Sequence, residues 1–214
     1  MSFKTRILKM KWYDKIAKFY DFFTAWIYKK PRMKLIENLE IRKGDKVLVI
    51  ACGTGQSFKL IREKIGNNGE IIALDYSKGM LNAAQKKINK NNWKNIKLIY
   101  TDVRNLSSIY LVNNGIKPEF DILIGELAFS VIPEWENVMI TGSLLLKENG
   151  KIGLLDWYRE KNNWFTKIVD FLAEAETNRN TINFAKKLFN EFIVTDKFFF
   201  NNVFIGIAKK TKAR

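Results

Sequence analysis

From Lys46 onward, short apolar runs alternate with stretches of helical periodicity, and this alternation restricts the fold more than any other feature of the chain. Val47-Leu48-Val49-Ile50 is a buried-strand run, followed by a Gly-rich turn and a helix over 58–65. Residues 71–74 repeat the strand pattern and 78–90 the helical one, and 96–100 and 120–124 are further strands. A helix over 135–146 leads through a turn at Asn149-Gly150 to a fifth strand at 151–155. A crossover helix returns the chain to the same edge, so strands joined in this way pair in parallel. Helical stretches follow between 163 and 192. The chain then closes with strands at 193–200 and 203–208, separated by Asn201-Asn202, a spacing that predicts a hairpin and one antiparallel strand. The whole pattern predicts a doubly wound α/β fold with a seven-stranded mixed sheet and a C-terminal antiparallel hairpin.

Ahead of the first strand, residues 12–29 read as an amphipathic helix. Trp12, Ile16, Phe19, Phe23 and Trp26 recur at helical spacing, while Lys11, Lys15 and Lys18 lie on another face. Pro31 is expected to stop this helix, and a second short one should cover 33–39. The division predicted is an N-terminal helical cap over 1–45 and an α/β domain over 46–214. No linker rich in Pro, Gly or Ser separates them.

The chain has no histidine, which excludes Ser-His-Asp and Cys-His nucleophile systems and imidazole-ligated metals. Acid–base work therefore falls to carboxylates, tyrosines, lysines or water. A single cysteine, Cys52, cannot form an intramolecular disulfide and fits a reducing cytoplasm. No run reaches the roughly eighteen apolar residues that span a bilayer, and Met1–Lys11 lacks the apolar core of a secretory signal. The formal net charge is +15, of which the first 46 residues hold thirteen Lys/Arg against five Asp/Glu. A basic helix rich in aromatics suits an anionic membrane surface, with the chain cytoplasmic and peripheral at the inner face. Nucleic acid is the less favoured partner, and the sequence does not fix an oligomeric state.

The run that carries chemistry is Ala51-Cys52-Gly53-Thr54-Gly55, between the end of the first strand and the opening of a helix. Glycines there let a ligand approach the backbone. Twenty residues beyond Gly55 the second strand ends in Asp75, a carboxylate able to accept from both hydroxyls of a ribose. A dinucleotide site wants a third glycine where Phe58 stands, so that fingerprint fails. S-adenosylmethionine (SAM) carries no pyrophosphate and needs only the turn and the acid, so it is the preferred cofactor. Tyr76 can cover a face of the adenine, and Asp102, with Val103 beside it, can accept from the adenine amino group. Alone, Asp102 would more often be a helix cap and Tyr76 a packed aromatic; in this order, at strand ends, they read as a site.

On these residues the chain resembles the class I SAM-dependent methyltransferases, over nearly its whole length. Ala51-Cys52-Gly53-Thr54-Gly55 is similar to that family's first motif, and Leu74-Asp75-Tyr76-Ser77-x-x-Met80-Leu81 to its second. Ser130-Val131-Ile132-Pro133-Glu134-Trp135 and Tyr13-Asp14-x-x-Ala17-x-x-Tyr20-Asp21 resemble the branch of quinone C-methyltransferases and bacterial phosphatidylethanolamine N-methyltransferases. The resemblance implies a Rossmann-like fold, a leading helix over the SAM pocket with Tyr13 and Tyr20 near the cofactor, and Met80 at the pocket. The acceptor it implies is a quinone or phospholipid headgroup; without histidine, Tyr20, Glu126 or an acceptor-side water are the candidates for the acceptor proton. One departure stands out: the family's first motif usually carries an acid where this chain has Val49, and Glu126 is the candidate replacement. A methyltransferase-like branch that uses SAM as an amino donor stays open on the same ground, as does a non-catalytic SAM-binding protein, while the net charge of +15 keeps an RNA methyltransferase open.

Overall fold

The computed structural model describes residues 24–159, 170 and 175–210. Most of the segment read as a leading helix, with Tyr13 and Tyr20, lies outside them. The first complete element is helix α1, Lys29–Asn38, with Tyr28 at the position before it. Pro31 therefore sits in the first turn of a helix rather than ending one. The reason is local: the first four N–H groups of a helix have no intrahelical acceptor, so a residue without one loses nothing there.

Strands β1 (Lys46–Ile50), β2 (Glu70–Asp75), β3 (Ile96–Tyr100), β4 (Phe120–Glu126) and β5 (Leu146–Trp157) alternate with helices α2 (Phe58–Ile65), α3 (Lys78–Lys90), α4 (Ser108–Asn113) and α5 (Trp135–Leu145). Helix α6 (Thr181–Leu188) precedes β6 (Ile193–Phe198) and β7 (Val203–Lys209). The seven strands form one sheet in the order β3-β2-β1-β4-β5-β7-β6. The first five are parallel, and β7 runs antiparallel to both β5 and β6. This is the doubly wound mixed sheet expected from the pattern.

Alternation along each central strand feeds two apolar layers, because successive side chains point to opposite faces. Val47 and Val49 join Leu35, Leu39, Ile61 and Ile88 on the side of α1, α2 and α3. Leu48 and Ile50 join Leu111, Met139 and Ala185 on the side of α4, α5 and α6. Helix α1 thus belongs to the core of the sheet. It lies so close to β5 that a Cβ on Gly153 would come within 2.7 Å of Leu39.

Two strand boundaries depart from the reading of the sequence. The turn expected at Asn149-Gly150 is an irregularity inside a longer β5, where Leu146 pairs with Phe120 and regular pairing resumes at Lys151 with Ile122. The last hairpin turns earlier than Asn201-Asn202. Strand β6 ends at Phe198, and Phe199, Phe200 and Asn201 take left-handed φ values of 51°, 55° and 66°. Asn202 closes the turn, donating from its side-chain amide to the Phe199 carbonyl at 2.9 Å.

Candidate functional site

The carboxyl ends of β1, β2 and β4 converge on one edge of the sheet, where an open α/β sheet offers its crevice. The loop after β1 is held by backbone bonds: Cys52 N–H donates to the Leu74 carbonyl at 2.9 Å, and Gly55 N–H to that of Cys52 at 3.0 Å. Gly55 has a φ of +69°, and a Cβ there would meet the Phe58 ring at 2.3 Å. Phe58 is 1% exposed, so its ring fills the space against the loop that a dinucleotide fingerprint would leave for close strand–helix packing. The Cys52 thiol is pushed up by burial and by the charge of Asp75. It stays protonated and is no nucleophile.

Asp75 braces the loop from the second strand. Its Oδ2 accepts from Gly53 N–H at 2.7 Å and its Oδ1 from Ser77 N–H at 2.8 Å. Asp75 thus positions the loop from the neighbouring strand. Ser77 in turn caps α3, accepting from the Met80 N–H at 3.1 Å. Tyr76 is half-buried between them and Met80 is buried.

Glu126 ends β4 and faces the loop from the other side. One oxygen accepts from the Ser57 hydroxyl, and the other from Arg32 Nε at 3.0 Å. Arg32 is 5% exposed and also donates to Gln56 Oε1 at 2.9 Å and to the Thr24 carbonyl at 2.8 Å. Gln56 completes the link by donating to Thr24 Oγ1 at 3.1 Å. One cleft is lined by Ala51, Cys52, Gly53, Thr54 and Gly55 together with Val49, Arg32, Ser57 and Glu126.

The third group lies one strand further out. Asp102 follows β3 and accepts from Arg104 N–H at 3.1 Å, capping a short 3₁₀ turn. The guanidinium of Arg104 also grips Asp102 at 2.8 Å and reaches Glu134 at 2.8 Å, and these partners, Asp102 first, push its pKa up. Val103 is buried beside a small cavity that it shares with Arg104, Glu134, Val138 and Thr141. The predicted site residues therefore fall into one cleft (51–55 and Glu126), its brace (Asp75) and two flanks (Tyr76 and Met80, Asp102 and Val103). Tyr13 and Tyr20 lie outside the described residues. Sequence reasoning missed Arg32, Gln56 and Ser57. A buried arginine that answers a carboxylate 94 positions away leaves no local signature.

A larger cavity, about 650 Å³, lies at the opposite edge among Asp45, Asp121, Lys151 and Lys209. It sits at the amino ends of β1, β4 and β5, away from the strand ends that gather the polar groups described above.

A family model described as a methyltransferase domain matches residues 41–198. The demethylmenaquinone methyltransferase of Geobacillus sp. is 27% identical over 148 residues, which cover 67% of this chain and 60% of that protein. The protein of the same name from Lactobacillus johnsonii is 30% identical over 132 residues, covering 61% and 51% respectively. The chain thus spans a little over half the length of these curated relatives. Among solved structures, phosphoethanolamine N-methyltransferase 2 of Haemonchus contortus, in complex with phosphomonomethylethanolamine and S-adenosylhomocysteine, matches with a TM-score of 0.73. The match covers 93% of this chain and 58% of that one at 14% identity, a likeness of fold.

Proposed function

The chain belongs to the methyltransferase-domain family, and from that premise we propose that it is a SAM-dependent methyltransferase acting on a lipid-soluble acceptor, a demethylated quinone before a phospholipid headgroup. The observation that carries the reading is the pairing of Arg32 with Glu126 at one end of the Gly53–Gly55 loop and the placing of Asp75 at the other. A ligand suited to both ends has a diol at one and an ammonium beside a carboxylate at the other. Glu126 answers the ammonium and Arg32 the carboxylate, so a zwitterion set between them exchanges one ion pair for two and leaves no buried charge unmatched. Glu126 also supplies, from the neighbouring strand, the negative charge that Val49 does not.

SAM, when bound, supplies an electrophilic sulfonium methyl. The residues of the chain then hold the two reactants in line and keep water out. Asp75 takes the ribose hydroxyls, and Asp102 with Val103 and Tyr76 frames the adenine. Glu126 is committed to Ser57 and Arg32, which favours Tyr20 or solvent over Glu126 as the group that receives the acceptor proton. The quinone class is supported by the names of the relatives, and a bilayer-dissolved acceptor agrees with the net charge of +15. Among the described residues, no helix is long and apolar enough to cross a membrane.

The test uses SAM labelled separately on the methyl group and the amino nitrogen, with demethylmenaquinone dissolved in vesicles. Methyl label in the quinone is the expected result. Nitrogen label in the quinone would replace methyl transfer by amino donation. SAM binding with no label in quinone, phospholipid or RNA would leave a binding protein without this activity.

A further inference from the structure

Stability does not account for three side chains at the mouth edge of the molecule. Phe200 is 99% exposed, Trp26 83% and Met33 50%. Phe200 stands at the tip of the β6–β7 turn, the middle one of three consecutive non-glycine residues with left-handed φ. L-residues resist that conformation, and here it holds a phenyl ring in water. Strain kept at an exposed tip points to a use for the tip.

The surrounding contacts bring together the helix and the hairpin turn that carry them. Residues 24–27 are helical and lead into α1, with Tyr28 N–H bonded to the Thr24 carbonyl at 3.1 Å and Arg32 N–H to that of Tyr28 at 2.9 Å. Along this path Trp26, Lys29, Lys30 and Met33 follow helical i, i+3, i+4, i+7 spacing and are all exposed, whereas Tyr28, Pro31, Arg32 and Leu35 are buried. The Tyr28 ring meets the Phe199 ring edge-on at 5.6 Å, which fastens this helix to the hairpin turn. The turn itself lies at the carboxyl end of β5: Trp157 pairs with Val203, and Tyr158 N–H donates to the Asn202 carbonyl at 2.8 Å. The carboxyl ends of β1 and β4, with the cofactor cleft, lie on that same edge. Arg32, on the buried face of α1, reaches Glu126 in the cleft.

We infer that Trp26, Met33 and Phe200, flanked by Lys29 and Lys30, seat the protein on an anionic lipid bilayer with the mouth of the cleft turned toward it. The inference rests on the reading that the acceptor is dissolved in a membrane. The occupant follows from the charge. From Thr24 to Ile36 the chain carries Lys29, Lys30, Arg32 and Lys34 and no carboxylate. Lys34 pairs with Glu37, while Lys29 and Lys30 face solvent. Aromatic side chains buried at headgroup depth, with lysine stems that keep their ammonium groups among the phosphates, are the chemistry of an interfacial anchor.

The test is sedimentation of the full chain with vesicles of phosphatidylcholine alone and of phosphatidylcholine with phosphatidylglycerol. Phe200→Ser and Trp26→Ser should each lower partition into the acidic vesicles about tenfold, the loss expected for one large apolar side chain. Ile109→Ser, which removes a residue 73% exposed on α4 across the sheet, should change nothing. SAM affinity, the melting temperature and turnover of a short-chain, water-soluble quinone should stay at wild-type values in all three. Binding by the Phe200 and Trp26 variants equal to wild type overturns the inference, as does an equal loss with Ile109→Ser. A wild-type dimer that Phe200→Ser converts to monomer overturns it in favour of a second copy of the chain. Vesicle binding that depends on Phe200, without methylation of an embedded quinone, leaves the docking surface standing and removes the quinone acceptor.

Discussion

Asp75 carries two tasks on one carboxylate. It holds the loop through Gly53 and Ser77, and in the proposed function it takes the ribose. Replacing it by alanine orphans two backbone donors, and SAM affinity should fall by about 1–3 kcal/mol, measured by calorimetry. Wild-type affinity in the variant would remove the ribose role. Asp156 poses a different problem, being fully buried near the end of β5. Burial pushes its pKa up, opposed by hydrogen bonds from Ser130 and Trp157. A carboxyl whose folded pKa is raised stabilises the fold below its unfolded value, and that contribution is lost as pH rises toward the folded value. Wild-type unfolding free energy should therefore decline from about pH 4 upward through this group. Asp156→Asn lowers stability overall, because an amide oxygen alone cannot serve both N–H donors, but its denaturation curves should lack that part of the slope. An unchanged slope would assign the pH dependence elsewhere.

At the level of elements, α1 connects the core to the cleft. Its apolar face packs on β5 through Leu39 at Gly153, and its Arg32 reaches Glu126. Gly153→Ala sets a methyl 2.7 Å from a fully buried Leu39 side chain. The variant should lose about 1–3 kcal/mol in chemical denaturation, the usual result of overpacking. If Arg32 anchors the cofactor carboxylate, SAM affinity should weaken with it, and an affinity that does not move would separate α1 from the site. The parallel strands, α2 and α3 were legible in the sequence because apolar runs and helical periodicity are local signals. The cleft loop and Asp75 were legible because a ligand approached at strand ends demands glycine and an acid there. Arg32 and Ser57 were not, since what brings them to the cleft is a partner far along the chain. Pro31 was misread because its effect depends on its position within the helix, which composition does not reveal. The early turn at Phe199 was missed for a related reason: Asn201-Asn202 fits a tight turn, and the contact of Phe199 with Tyr28, far along the chain, leaves no local signal.

At the scale of the whole molecule, the proposed docking to a membrane would divide between charge and apolar exposure. The net charge of +15 acts at a distance, raising the rate of encounter with any polyanion, whereas Trp26 and Phe200 act only on contact. Screening separates the two, since the Debye length falls from about 10 Å at 0.1 M salt to about 3 Å at 1 M. Binding to acidic vesicles should weaken steeply with salt and level off at a residual value set by the apolar side chains, and Phe200→Ser should lower that plateau about tenfold. RNA offers phosphates but no apolar interior, so any binding to RNA should fall with salt without levelling, along the linear dependence that counterion release produces. The expected result in parallel titrations is a plateau for vesicles and none for RNA. A plateau absent from both would make the surface a simple polyelectrolyte. Tight RNA binding with no vesicle binding at any salt would shift the acceptor from lipid to nucleic acid. The cleft would remain as described in either case, because the pair of Arg32 and Glu126 and the brace of Asp75 are set by the sheet and α1, not by the surface that brings the acceptor to them.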